Sequence, residues 1–126
     1  MPQTDVLFYM DDDGSVPVLV WLEELLEREP KAFAKVRAKI ALLEQLGHEL
    51  RRPAADYLED GIYELRTGAQ NVNYRVLYFF HGQNVAILSH GMTKEKKVPE
   101  ADLNRAKRRK KAFEADPSAH TYEEEG

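Results

Sequence analysis

Two arginines and a histidine stand in successive strand-like segments of the second half of the chain. Arg66 closes the segment GIYELR, Arg75 lies early in NVNYRVLYFF, and His90 closes NVAILSH. Arginine presents a planar set of N–H donors that matches the oxygen atoms of a phosphate group. These residue types in neighbouring strands therefore predict a site that binds phosphate.

Strand geometry indicates which of these groups can meet. Side chains alternate between the two faces of a strand, so Glu64 shares a face with Arg66. If the register aligns the strands, the guanidinium groups of Arg66 and Arg75 share a cleft with the imidazole of His90. A lysine-rich turn follows and would hang over that cleft, with Lys94, Lys96 and Lys97. The competing interpretation for Arg75 is structural, as a strand residue in an ion pair with Glu64.

Positive charge is concentrated in one segment of an acidic chain. The protein has 126 residues and a net charge of −4, yet residues 94–111 hold nine of its 18 Lys and Arg and three of its Asp and Glu. Such a segregated field can steer an anionic partner. The candidates for contacts with nucleic-acid phosphates are Lys96 and Lys97 of the turn and, in the helix predicted here, Arg105, Arg108, Arg109 and Lys111.

Composition and missing motifs exclude several classes of protein. There is no cysteine, and the histidines show no metal-ligand spacing, so we expect no disulfide, no metal site and no cofactor. No P-loop, GxGxxG, HExxH or GxSxG motif occurs, which removes support for ATPases, dehydrogenases, zinc proteases and serine hydrolases. The segment MPQTDVLFYMDDDG lacks the basic n-region and the long apolar run expected of a signal peptide, and no apolar run approaches the roughly 18 residues of a membrane span. We therefore expect a cytoplasmic protein that does not contact membranes.

Periodicity and turn residues predict an α+β fold. Apolar spacing indicates two N-terminal helices, the first capped by Ser15 and the second over residues 31–46, and Pro99 opens a third, basic helix. Segments rich in β-branched and aromatic residues predict strands, with a turn at Thr67-Gly68. These strands cover residues 6–10, 61–66, 72–80 and 85–89.

The predicted architecture is a small antiparallel β-sheet packed against an N-terminal α-helical hairpin, with a basic C-terminal helix. Residues 1–115 form a single domain, because a chain of this length and apolar content can bury one core. Residues 116–126 are predicted to be an acidic, disordered tail.

The order of five segments makes the chain similar to a known group of proteins. It resembles the HigB-like, phage-derived branch of the RelE/ParE toxin superfamily, from bacterial type II toxin–antitoxin systems. The resemblance covers about residues 6 to 113, and its segments are DDDGSVPVLVWLEEL, LEDGIYELR, NYRVLYFF, ILSHGMTKEKK and VPEADLNRAKRRKKAF. It implies a RelE-like fold.

The resemblance also implies an activity, that of an mRNA interferase. RelE- and HigB-type toxins are endoribonucleases that cut messenger RNA on the ribosome without a metal, by attack of a ribose 2′-hydroxyl on the adjacent phosphate. By this resemblance Arg75 stabilises the phosphate, Arg66 is a second basic position and Lys94 lies in the catalytic loop. The strand that carries lysines in the RelE pattern carries Glu64 here. The general acid–base group is therefore open among Glu64, His90 and Lys94.

Two other functions remain open at this point. A ParE-like toxin would poison DNA gyrase without cutting RNA, and a non-catalytic module would only bind nucleic acid through its basic helix. Fold alone does not separate these alternatives. The implied partners are the ribosome with its mRNA and a cognate HigA-like helix-turn-helix antitoxin.

Overall fold

A computed structural model describes residues 3–93 and 97–122 of the chain. Within these ranges there are three α-helices and six strands, in the order β1 (Asp5–Tyr9), α1 (Pro17–Arg28), α2 (Pro30–Leu46), β2 (Ala55–Glu59), β3 (Ile62–Ala69), β4 (Val72–His81), β5 (Val85–Thr93), α3 (Glu100–Ala115) and β6 (Thr121–Tyr122). Short 3₁₀ turns follow α2 and precede β6. The α+β class predicted from the sequence is confirmed.

The strands form one mixed sheet in the order β2-β3-β4-β5-β1-β6. The run from β3 to β5 is an antiparallel meander, as predicted; β2, which was not predicted, extends it at the edge, and β1 pairs with β5 in parallel. The expectation of a purely antiparallel sheet is therefore wrong for β1. Its apolar residues suit an interior position beside β5, and a parallel pair is reached only through a long crossover, here the chain from α1 to β4.

Helices cover both faces of this sheet. α1 and α2 pack on one face, and Glu29 alone separates them because Pro30 cannot donate the hydrogen bond that would continue α1. α3 packs on the opposite face. In β4, Val76 and Tyr78 bury towards α1 and α2, whereas Leu77 buries towards α3, in the alternation that the sequence predicts.

Several local predictions need correction. The β3–β4 turn lies at Gln70-Asn71, where φ is 53° and 66°, and not at Thr67-Gly68, which belong to β3. A left-handed pair of residues matches the twist of a two-residue hairpin, and Asn tolerates it well. Ser15 does not cap α1, since Val16 occupies that position and the Ser15 hydroxyl donates to Asp13 Oδ1 at 2.7 Å.

The C-terminal segment is more ordered than predicted. Residues 117–120 form a 3₁₀ turn, and β6 then pairs with β1, so disorder from residue 116 is wrong for this part of the tail. The His120 ring stacks on Tyr9 at 5.1 Å between centroids, and its Nδ1 is 2.8 Å from the Met10 carbonyl oxygen. These contacts add apolar and polar anchoring that the acidic composition does not reveal. Residues 123–126 lie outside the described residues.

Replacement of Gly91 by alanine is expected to destabilise the fold. A Cβ atom at Gly91 in β5 would overlap the indole ring of Trp21, whose Nε1 also donates to Thr93 Oγ1 at 3.2 Å. Overpacking a rigid ring costs about 1–3 kcal/mol, and urea unfolding measures this loss. Gly68→Ala is the matched control, because its nearest neighbour would be a carbonyl oxygen at an ordinary 3.7 Å. Equal stability of the two variants would contradict the packing described.

Candidate active site

The register of β3, β4 and β5 assembles the candidate groups on the α3 face of the sheet. Arg66 stands directly opposite Arg75 across β3 and β4. On the other side of β4, Arg75 stands opposite Met92 of β5. Glu64 lies two residues from Arg66 on the same strand face and is therefore diagonal to Arg75. The predicted meeting of Arg66 and Arg75 thus occurs in the structure.

A buried ion pair joins Glu64 and Arg75. The Arg75 Nε atom donates to Glu64 Oε1 at 2.7 Å, and the two residues are only 5% and 6% exposed. Two like charges opposite one another in a sheet repel, and a diagonal carboxylate offsets that repulsion. The ion pair that the sequence offered as the competing interpretation for Arg75 is therefore present. It also fixes the direction in which the guanidinium group points.

Arg66 differs from Arg75 in its surroundings. It is half-buried, and its side chain makes no hydrogen bond or ion pair with any residue in the described ranges. Its guanidinium group lines two clefts that meet at the Arg66–Arg75 pair. The cleft on the α3 side, of about 340 Å³, is also lined by Glu64, Lys97 and Leu103.

The second cleft, of about 310 Å³, lies near the β3–β4 turn and brings in Lys39 from α2. Sequence reasoning missed Lys39, which is one of several polar residues on a helix surface and carries no local signal. A phosphate in these clefts would meet cations from two strands and, near the β3–β4 turn, a cation from one helix. Within the described part of the chain, this is the place where candidate cations and a carboxylate share open space.

His90 is placed elsewhere. A bulge at Ser89 turns the end of β5 towards α3, and the imidazole is only 7% exposed and does not line the arginine clefts. Its Nδ1 lies 2.9 Å from Ser89 Oγ and 3.1 Å from Arg109 Nη1, and its Nε2 lies 3.1 Å from Asp102 Oδ1. Because Arg109 can only donate, Nδ1 is an acceptor, and the protonated Nε2 donates a hydrogen bond to Asp102 Oδ1.

This environment keeps the ring neutral. Burial, followed by the neighbouring positive charge of Arg109, lowers the pKa of His90 from 6.5 to about 4, against a smaller raising effect of Asp102. A ring with both nitrogens hydrogen-bonded to the protein is poorly placed to move a proton of a substrate. The geometry therefore favours a structural part for His90, which links β5 to α3.

The basic helix is only partly available to a partner. Arg109 turns inward, where it lies 5.5 Å from the centroid of the Tyr9 ring and pairs with Asp11 at 3.4 Å. The pKa of Arg109 lies below its usual value, chiefly because the guanidinium group is buried, and the negative charge of Asp11 offsets part of this decrease. Arg105 is ion-paired to Asp102 at 2.9 Å. Asp11 and Asp102 are partners that sequence reasoning missed: the fold brings Asp11 to the helix, and Asp102 stands in the first turn of the helix itself.

Other basic residues remain on the surface. Arg108 and Lys111 are exposed on α3, and neither forms an ion pair with a described residue. Lys97 is exposed at the mouth of the α3-side cleft. Lys94 and Lys96 lie outside the described residues. On α3, the described residues available to a larger anionic partner are thus Arg108 and Lys111, with Arg105 beside them.

Among residues 3–93 and 97–122, no three His, Asp or Glu side chains are grouped so that they could hold a metal ion. No helix in those ranges is long and apolar enough to cross a bilayer.

Comparison with known proteins gives one match. The family model described as Phage derived protein Gp49-like (DUF891) matches residues 23–111, which is more than two thirds of the chain. The matched span runs from α1 to the last turns of α3 and contains all the groups of the arginine clefts. No curated protein matches the chain.

The neutral state of His90 makes stability depend on pH. The unfolded chain binds a proton at His90 near pH 6.5, whereas the folded chain resists it down to about pH 4. Stability is therefore complete above pH 6.5 and falls by up to about 3 kcal/mol as the pH drops to 4. Urea unfolding between pH 8 and 4 measures the slope. His90→Gln should make the free energy of unfolding less dependent on pH. An unchanged pH dependence in this variant would contradict the claim that His90 is neutral in the folded protein.

The ion pair predicts different costs for the two arginine variants. Arg75→Ala leaves the Glu64 carboxylate buried without its partner, so we expect a loss of about 3–5 kcal/mol in the free energy of unfolding. Arg66→Ala should cost less than about 1 kcal/mol, because Arg66 has no such partner. The double variant Glu64→Gln, Arg75→Ala should regain part of the loss in urea unfolding. Equal costs for Arg66→Ala and Arg75→Ala would refute this account of the pair.

Proposed function

Because the chain belongs to the Gp49-like family of phage-derived proteins, which is related to toxins of the RelE, ParE and HigB types, we propose that it is the toxin of a type II toxin–antitoxin system. Its proposed activity is cleavage of messenger RNA on the ribosome. The observation that carries the proposal is the cleft that joins Arg66, Arg75 and Glu64 on one face of a rigid sheet.

Two guanidinium groups on adjacent strands suit the phosphate of an RNA chain. The 2′-oxygen forms a new bond to phosphorus while the bond from phosphorus to the 5′-oxygen breaks, and negative charge builds on the phosphate oxygens. Preorganised cations stabilise that charge without reorganisation of solvent. Arg66, which has no competing ion pair among the described residues, binds the phosphate directly, and the ion pair to Glu64 orients Arg75.

Glu64 is the proposed general base. It lines the cleft, and its Oε1 is held by Arg75, while its Oε2 forms no hydrogen bond with a described residue. The carboxylate takes the proton from the 2′-hydroxyl, and the hydrogen bond from Arg75 holds it in place. His90, another of the three acid–base candidates, is not proposed for this role, because both of its ring nitrogens are hydrogen-bonded to residues of α3.

The leaving 5′-oxygen also needs a proton. Lys97 is exposed at the mouth of the same cleft, where an ammonium group can donate to it. Lys94, which lies outside the described residues, is the candidate that the toxin resemblance implies. The products are a 2′,3′-cyclic phosphate and a free 5′-hydroxyl. Arg105, Arg108 and Lys111 of α3 are proposed to contact ribosomal RNA through phosphates, independently of its sequence.

A cognate antitoxin and the bacterial cytoplasm belong to the same proposal. Toxins of this kind are encoded beside a short, HigA-like helix-turn-helix protein that holds them inactive. A reading frame for such a protein adjacent to that of the present chain would support the assignment. Co-expression of that neighbour should prevent any growth arrest caused by the toxin.

Removal of the Arg66 side chain tests the site. In bacteria, induction of the wild-type protein should stop growth and shorten translated messages, as seen by RNA blotting. Arg66→Ala should raise the number of surviving cells at least tenfold and leave the messages at full length. The reason is that one preorganised cation contributes several kcal/mol to the stability of such a transition state. Lys31→Ala, at an exposed cation of α2, is the matched control and should remain toxic.

The same experiment separates the alternatives. Growth arrest with intact messages and damaged DNA would replace the ribonuclease proposal with a ParE-like poison of DNA gyrase. Normal growth and intact messages on induction of the wild-type protein would favour a non-catalytic nucleic-acid-binding module. Full toxicity of Arg66→Ala, at a protein level equal to wild type, would remove Arg66 from the active site.

A further inference from the structure

A third cleft lies around the edge of the sheet from the arginine clefts. It has a volume of about 630 Å³ and is formed by β2, β3 and the loop after α2. Tyr57 of the edge strand β2 lines this cleft and also lines the α3-side cleft with Glu64, Arg66 and Arg75. The two clefts therefore adjoin one another at Tyr57.

Tyr57 is exposed and yet held in place. Its residue surface is 52% exposed, which is unusual for a large aromatic side chain in a covered sheet. Its ring packs edge-on against Tyr63, with 5.0 Å between centroids and 71° between planes. Its hydroxyl accepts a hydrogen bond from the Gly61 backbone N–H at 3.1 Å. A ring fixed at both ends presents a flat surface to solvent at little cost in conformational entropy.

The support for Tyr57 continues into the core. Tyr63 stacks on Tyr78 at 5.4 Å and meets Phe80 edge-on at 5.2 Å between centroids. Phe80 in turn stacks on the imidazole of His48, which also lines the third cleft. This chain of rings gives the cleft a rigid aromatic wall.

The rim of the cleft is basic. Arg51 and Arg52 are both exposed there. Arg52 is 72% exposed in its side chain and pairs with Asp56 at 2.7 Å, and the guanidinium group of Arg51 donates to backbone carbonyls of the preceding turn. A guanidinium group has five N–H donors, so both arginines keep donors for a further anion.

We propose that this cleft is a subsite for an unpaired RNA nucleotide next to the one held by Arg66 and Arg75. Its base stacks on Tyr57, and its phosphate is bound by Arg51 and Arg52. Sequence-tolerant binding of single strands characteristically combines aromatic rings for stacking with cations for the backbone. The subsite rests on the proposed function, because it takes its position from the cleft of the scissile phosphate. It requires the target RNA to be single-stranded there.

The test uses the full-length protein and a short single-stranded RNA that carries 2-aminopurine and 2′-O-methyl groups at every ribose. Such an RNA cannot be cut by 2′-hydroxyl attack, so binding is measured without cleavage. Stacking on Tyr57 should quench the 2-aminopurine fluorescence. Tyr57→Ala should weaken binding about tenfold and remove the quenching, since one stacked base contributes roughly 1–3 kcal/mol.

Two variants make the result specific to the ring. Tyr57→Phe loses the hydroxyl but keeps the aromatic surface, so it should bind and quench like the wild type. Leu26→Ala removes an apolar side chain of similar exposure, 53%, from α1 and should change nothing. Wild-type protein that leaves the fluorescence unchanged, or Tyr57→Ala that quenches as strongly as the wild type, would overturn the proposal.

The outcome is separable from that of the proposed function. Quenching that depends on Tyr57, in a protein that cuts no message in cells, would keep the subsite and reject the ribonuclease. Cleavage that depends on Arg66 but not on Tyr57, together with quenching that does not change in Tyr57→Ala, would keep the ribonuclease and reject the subsite.

Discussion

The buried ion pair between Glu64 and Arg75 connects the fold of this protein to its proposed chemistry. It forms only if β3 and β4 pair in the observed register, since a shift of one residue would turn one partner to the opposite face of the sheet. The same register places Arg66 opposite Arg75 and opens the clefts between them. A charge pair that is costly to bury is therefore located where two arginines and a carboxylate have to be held in fixed directions.

A second polar cluster holds the helix that borders this site. His90 bridges Asp102 and Arg109 of α3, and Arg109 reaches Asp11 in the turn after β1. The cluster anchors α3 at both its first and its third turn, so Leu103 and Lys97 stay at the edge of the cleft. The positive charge that the sequence concentrates in this helix is thus partly used for folding, and partly left on the surface at Arg108 and Lys111.

Sequence patterns predicted the parts of the fold that have a local signal. Apolar periodicity and the Pro30 break were enough to place α1 and α2, and alternation in β4 was enough to place Arg75 on the face opposite to Tyr74 and Tyr78. The parallel pairing of β1 and the addition of β6 depend on contacts between distant segments, which composition does not encode.

The site shows the same division between local and distant information. The pairing of Arg66 with Arg75 follows from a short hairpin. The sequence predicted that the two side chains meet if the register aligns their strands. The contacts of His90 and Arg109 were not predictable, because they depend on how α3, which carries Asp102, docks on β5 and on Asp11 in the turn after β1. Tyr57 was missed for a related reason, since β2 is a short edge strand of mixed polarity and gives no clear strand pattern.

The chemistry at the cut ends of RNA tests the central claim most directly. Attack by the 2′-hydroxyl leaves a 5′-hydroxyl on the downstream fragment, whereas attack by water activated at a metal commonly leaves a 5′-phosphate. RNA from induced cells would be sequenced after ligation that captures only 5′-hydroxyl ends, with the Glu64→Gln variant in parallel. The account predicts new 5′-hydroxyl ends within translated messages that are abundant for the wild type and depleted for Glu64→Gln. New ends that carry 5′-phosphates, or ends equally abundant in the variant, would contradict it.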